Sequence, residues 1–203
     1  MLKDVLMEGR RVVNNITNVA RIFFIKTIYS VLLSVFCILT NMEFPFIPIQ
    51  ITLIDLVIEA YTSFFISFER NEKTIRGTFL KTALTNALPF AIVIMLNIVI
   101  LTVLGNGMGI EQNVLTTMMY LLIGFVSILA VQEVCMPFDK VHAFLFGTTA
   151  IGFYVAVYLF KNLLKLSPLT GEQIGIIVIL AIISYVIILI KRKMYKNFVI
   201  ENS

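Results

Sequence analysis

Charge is what this chain has least of: Asp, Glu, Lys and Arg make up 14% of its 203 residues, where a soluble domain carries about 25%. Its hydrophobic share is 59% and its mean hydropathy +0.97, more apolar surface than one soluble core of this size can bury. Cysteine is scarce too. There are two, Cys37 and Cys135, in or beside apolar runs; they exclude a secreted disulfide scaffold and read as buried free thiols. The single histidine, His142, has no Cys or His partner at ligand spacing, so no zinc cluster is encoded and it reads as interfacial. The stretch Gly105 to Gly109 lacks the Lys–Ser/Thr ending of a phosphate-binding loop and reads as a flexible connector. No nucleophile–base pair is apparent, and the chain alone is expected to hydrolyse nothing. What remains is an all-α, polytopic membrane protein.

A bilayer core about 30 Å thick needs about 20 apolar helical residues. Six stretches meet that length: 20–41, 46–68, 83–104, 114–133, 141–160 and 173–190. They predict three parts: a stalk helix over 1–19, a six-span domain over 20–190 and a basic tail over 191–203. With the N-terminus inside, fourteen of the sixteen Lys and Arg fall on the inner side, including Arg70, Lys73, Arg76, Lys191, Arg192, Lys193 and Lys196. Only Lys161 and Lys165 fall outside. This bias predicts cytoplasmic termini, in a multi-pass protein of the plasma (inner) membrane. The basic residues then face anionic lipid, and nucleic acid is not needed to explain the net charge of +4.

The first residues carry their own signal. Leu2, Val5, Leu6, Gly9, Val12, Val13, Ile16 and Val19 recur at three- and four-residue steps, the period of an amphipathic helix. The pattern runs into the first span without a proline, which predicts one continuous helix whose cytoplasmic part offers an apolar stripe to a partner.

Of twelve acidic residues, Asp55 and Glu59 alone fall within a span, away from its ends. An intramembrane carboxylate is costly and marks a cavity or a partner. A spacing of four puts both on one helix face, with Thr52 a turn before and Thr62 and Ser63 a turn after. Carboxylate and hydroxyl oxygens are the ligands that hard cations take; acids that merely bridge helices are the other reading. Lys26, inside the first span and near the level of Glu59, reads as an internal counter-ion or as a snorkelling side chain. Asn86 and Asn97 read as helix–helix glue, Gly147 to Gly152 as close packing, and Gln132, Glu133 and Asp139 as a solvated loop.

Two segments look familiar. MEGRRVVNNI running into a span resembles the junction before the fifth membrane helix of P-type cation-transporting ATPases, and FIPIQITLIDLVIEA resembles that family's sixth helix. With the six-span layout, the resemblance covers essentially the whole chain as the C-terminal membrane half of a bacterial pump. It implies that Asp55 and Glu59 coordinate the ion and, counting from the Gly–Arg pair, that Thr27 and Ser30 occupy the fifth helix's ligand positions. The fifth helix of the family's calcium pumps carries an Asn and a Glu there, so one carboxylate is missing. The resemblance thus implies calcium with one ion per cycle, or proton-coupled exchange. No Asp–Lys–Thr–Gly–Thr motif, nucleotide domain or fourth-helix Pro–Glu break is present in the sequence, so a fragment of a longer pump is expected. ATP and Mg belong to its other domains, and this chain is expected to bind no cofactor. A self-standing six-span channel or ion-coupled secondary transporter, and a scaffold subunit that moves no ion, are the competing readings.

Overall fold

The computed structural model describes residues 2–71 and 78–201, with the side chains of Leu2, Asp4 and residues 195–201 set aside. Lys73 and Arg76, and the side chain of Lys196, therefore lie outside the described residues. All regular structure among the described residues is helical, and six helices are long and apolar enough to cross a membrane.

The first helix, α1, runs unbroken over Leu2–Thr40. At 1.5 Å per residue its 39 residues reach about 60 Å, twice a bilayer core, so the N-terminal half projects beyond it. No proline precedes Pro45 to interrupt it. It ends where Asn41 turns left-handed (φ 54°) and Met42 N–H donates to Cys37 O at 3.0 Å, a side chain and geometry suited to a helix end.

The second span is α2 (Pro48–Ile54), a π-helical turn over Asp55–Ala60, and α3 (Tyr61–Ser67). Gln50 sets its start: its Oε1 accepts from Ile47 N at 3.1 Å while its buried Nε2 donates to Leu164 O at 2.9 Å. Then come α4 (Phe79–Met108), α5 (Gln112–Val134), α6 (Lys140–Leu159) and α7 (Gly171–Glu201). Residues 105–108, expected as a loop, continue α4, which stops at Gly109 with φ 64° and Ile110 N–H bonded back to Gly105 O at 2.9 Å. Residues 191–201, expected as a tail, continue α7.

The bundle centres on α5. Of its most apolar stretch 78% is buried, against 22% for α6 and 17% for α7, which leaves those two at the periphery. Gly124 is the closest approach in the bundle: a Cβ there would collide with the ring of Phe153 on α6. By contrast Gly147 has open space around it and Gly152 only ordinary contact with Val57, so the expected close packing falls on Gly124 instead. Asn97 does act as glue, its Nδ2 donating to Ser184 Oγ on α7 at 2.9 Å in a buried position.

Two further features concern polar groups. The stalk part of α1 packs through its polar side, not its apolar stripe. Asn15 donates to Ser67 O and Glu69 O at 3.2 and 2.8 Å, Asn14 to Asn71 O at 2.9 Å and Arg11 Nε to Glu69 O at 3.1 Å. These amides and the guanidinium satisfy the last carbonyl of α3 and those of the non-helical residues that follow it, while Val5, Leu6, Val12 and Ile16 stay exposed. Glu133 is not a loop residue either. It sits on α5 and its Oε1 accepts from Arg21 on α1 at 2.5 Å and Lys191 on α7 at 2.7 Å. Both cations also lie over the ring of buried Phe90, 5.6 and 5.3 Å from its centroid. A lone carboxylate in this position would be too costly to bury; two cations from neighbouring helices make it tolerable.

Candidate cation site

The site forms where α1 meets the middle of the second span. The π-helical turn closes with Tyr61 N–H on Leu56 O, an i→i+5 bond. Such turns occur as single widened turns inside α-helices, frequently at functional positions. Widening keeps Asp55 and Glu59 on one side, because four residues fall just short of a full π turn instead of just past an α turn.

Asp55 sits at the edge of the site and Glu59 at its depth. Lys26 Nζ donates to Asp55 Oδ2 at 2.5 Å, with side-chain exposures of 30% and 35%. Glu59 is 3% exposed and within electrostatic range of both Asp55 and Lys26. Thr62 and Ser63 are buried beside it on α3. Thr62 Oγ1 is shared with Thr149 Oγ1 of α6 at 3.4 Å, and next to it Tyr61 OH bonds Thr148 Oγ1 at 3.0 Å.

Several other polar atoms in this part of the bundle are unsatisfied. Asp55 Oδ1, Glu59 Oε2 and Ser63 Oγ are buried without a hydrogen-bond partner, and so are the hydroxyls of Tyr29 on α1 and Tyr120 on α5. Buried polar groups are otherwise paired as a rule, and exceptions call for an explanation such as an ion or a water. Oxygen atoms of this kind fit a hard cation, which takes six to eight of them.

Two of the remaining polar residues turn away from the acids. Thr52 is exposed and its hydroxyl donates to Pro48 O of its own helix at 3.0 Å. Thr27 is likewise exposed and bonded back to Phe23 O at 3.1 Å. Ser30 is half-buried one residue beyond Tyr29. The two tyrosines escaped sequence reasoning, since a Tyr in an apolar run reads as core; nothing in the sequence marks their hydroxyls as unpartnered. At the basic end of the bundle a second polar group gathers. His142 lies 3.5 Å from Glu69 and 3.3 Å from Asp139. Asp139 caps α6 by accepting from His142 N at 2.7 Å, and that backbone bond holds its carboxyl below the usual aspartate value. No group of three or more His, Cys, Asp or Glu side chains poised for a metal occurs among the described residues; the candidate site has two carboxylates plus hydroxyls.

No family model matches the chain. Individual proteins do. It is 36% identical over 201 residues to the probable cation-transporting ATPase exp7 of Streptococcus pneumoniae, a match covering 94% of this chain and 26% of that protein. It is 35% identical over 103 residues, 46% of this chain, to the calcium-transporting ATPase CtpE of Mycobacterium bovis, and 32% identical over the same length to CtpE of Mycolicibacterium smegmatis. The chain thus spans about a quarter of the length of the first of these relatives, and less of the others. Near-complete coverage of this chain, at this identity and with six membrane-length helices, makes it a homologue of the bacterial P-type cation-transporting ATPases that fits the C-terminal membrane part of such a pump.

Proposed function

We propose that the chain is the ion-binding and translocating part of an ATP-driven cation pump, with calcium as its cargo and the phosphorylation and nucleotide domains supplied by the rest of a longer protein. The observation that carries this reading is the group of unsatisfied oxygens on Asp55, Glu59 and Ser63 at a π-helical turn. Calcium takes carboxylate and hydroxyl oxygens in a flexible shell, where magnesium holds to a strict octahedron and keeps its water. The printed name of the mycobacterial relatives, calcium-transporting ATPase, supports the same choice. Lys26 serves as a tethered counter-charge: it pairs with Asp55 and can give that carboxylate up to an arriving ion.

The experiment is ATP hydrolysis by the purified full-length pump, titrated with calcium, manganese and magnesium. Calcium at micromolar levels should stimulate turnover; stimulation by none of the three sinks the pump reading. A coding sequence that runs upstream of Met1 into an Asp–Lys–Thr–Gly–Thr motif would accompany it.

The proposed orientation places both termini in the cytoplasm of a cell whose plasma membrane holds the bundle, following the fourteen-to-two distribution of Lys and Arg. Single cysteines at Asn106 and Asn162 should react with an impermeant thiol reagent from outside only, and one at Asn202 from inside only. Labelling of the first two from the cytoplasm reverses the topology.

A further inference from the structure

We propose that Tyr29 and Tyr120 are the neutral half of the same cation site, their phenolic oxygens facing the ion from the side opposite the acidic helix. The inference rests on the ion-site reading above and adds two ligands from elements that reading leaves aside, the inward face of α1 and the central helix α5.

Three observations carry it. First, these two residues are the largest fully buried side chains among the described residues, at 1% and 0% exposure; the Tyr120 hydroxyl lacks a hydrogen-bond partner, and that of Tyr29 has only the neighbouring Ser30 side chain near it, outside hydrogen-bond geometry. A buried tyrosine ordinarily finds one, and a phenylalanine would fill the same space without needing it. Secondly, the hydroxyls are gathered, not scattered. Tyr29 follows Lys26 by three residues, on the same face of α1, and lies within electrostatic range of Glu59, Asp55 and Tyr120. Thirdly, Glu59 Oε2 and Ser63 Oγ in the same region are also unpartnered, so four polar groups on α1, the second span and α5 lack partners together. A single shared occupant would satisfy them all.

The chemistry of the donor set limits what that occupant is. Two carboxylates on one side give charge but only a few oxygens, and a third carboxylate would add repulsion without its own cation. Phenolic oxygens add coordination with no charge. In this arrangement Asp55 and Glu59 set the strength of binding, while Tyr29 and Tyr120 set how far the ion is stripped of water and therefore which ion is preferred. Aromatic rings also hold those oxygens rigidly: the Tyr120 ring is braced by Phe153, 6.0 Å between centroids, and Phe153 is itself locked against Gly124.

The test uses the full-length pump with Tyr29→Phe, Tyr120→Phe and the double change, each removing one oxygen and no volume that packs. Turnover is titrated with calcium, manganese and magnesium. For each single change the calcium concentration giving half-maximal stimulation should rise about fivefold, as expected for one lost neutral ligand bond. The double change should shift it further and narrow the preference for calcium over magnesium, with thermal stability retained. Unchanged ion dependence in both single variants overturns the inference and makes the hydroxyls idle core groups. Glu59→Gln, run alongside, separates the failures. If it is inactive while both tyrosine changes are silent, the tyrosine ligands alone are wrong. If it retains wild-type calcium dependence, the site itself is wrong and the inference falls with it. Direct calcium-45 binding to the purified variants gives the same reading should any of them turn over too slowly to titrate.

Discussion

Asp55→Asn and Glu59→Gln in the full-length pump are each expected to lower cation affinity by about a thousandfold, which at any attainable calcium concentration abolishes stimulated turnover. A unit charge about 4 Å from an ion is worth about 4 kcal/mol at an effective dielectric of 20, and each 1.4 kcal/mol is a factor of ten. Asn and Gln keep the volume and one oxygen, so only the charge is removed. The two positions differ in what else they disturb. Asp55→Asn leaves Lys26 without its 2.5 Å partner, whereas Glu59→Gln relieves a carboxylate that is 3% exposed and whose Oε2 has no hydrogen-bond partner. Glu59→Gln should therefore retain or gain thermal stability while losing ion response, a combination that a purely structural acid would not give. Lys26→Met completes the series. It removes a counter-charge and not a ligand, so turnover should persist with an altered pH dependence or countertransport. If Lys26→Met behaves as wild type while both acid changes are dead, the lysine only snorkels; if the acid changes are silent too, the ion site is wrong.

The elements that could be read from sequence are those whose cause is local. Six apolar runs of membrane length require six helices in any surroundings, and the structure has them. Two acids four apart in such a run must share a face, whereas Lys26 is compatible in sequence with pairing to them or with snorkelling, and the structure pairs it with Asp55. The π-helical turn had no such signal. DLVIEA contains neither Pro nor Gly, and a shift from i→i+4 to i→i+5 bonding depends on what packs around it. The stalk's apolar stripe stays exposed at Val5, Leu6, Val12 and Ile16, as the sequence pattern expects of a face turned away from this chain; what the sequence does not mark is the other face, where Asn14 and Asn15 bind the carbonyls of Asn71 and Glu69 just beyond α3. Glu133 was misread because its partners, Arg21 and Lys191, are remote in the chain and look like topology signals when counted one by one.

That last group makes the second large prediction. Glu133→Ala should lower the thermal midpoint of the solubilised protein by about 10 °C. Removing one partner of a buried ion network leaves uncompensated charge and costs about 3–5 kcal/mol, and a protein of this size shifts by about 2–4 °C for each kcal/mol. The exposures of the three side chains, 9% for Arg21, 17% for Glu133 and 21% for Lys191, put the group nearer the buried than the surface regime. Two cations held over one phenylalanine ring would then face each other with nothing between them. Because the triad ties α1, α5 and α7 at the basic end, its loss should loosen the stalk-bearing helix first, and turnover should fall before the bundle unfolds. Replacing all three together, Arg21→Met, Glu133→Leu and Lys191→Met, removes the uncompensated charge and should restore most of the midpoint, since apolar groups of similar volume commonly equal a buried ion network in stability. An unchanged midpoint in Glu133→Ala would mean that water reaches all three groups and the network is worth no more than a surface ion pair. Recovery of the midpoint without recovery of turnover in the triple variant would instead assign the charges to the pumping cycle, holding α1 in step with α5 and α7 as the stalk moves.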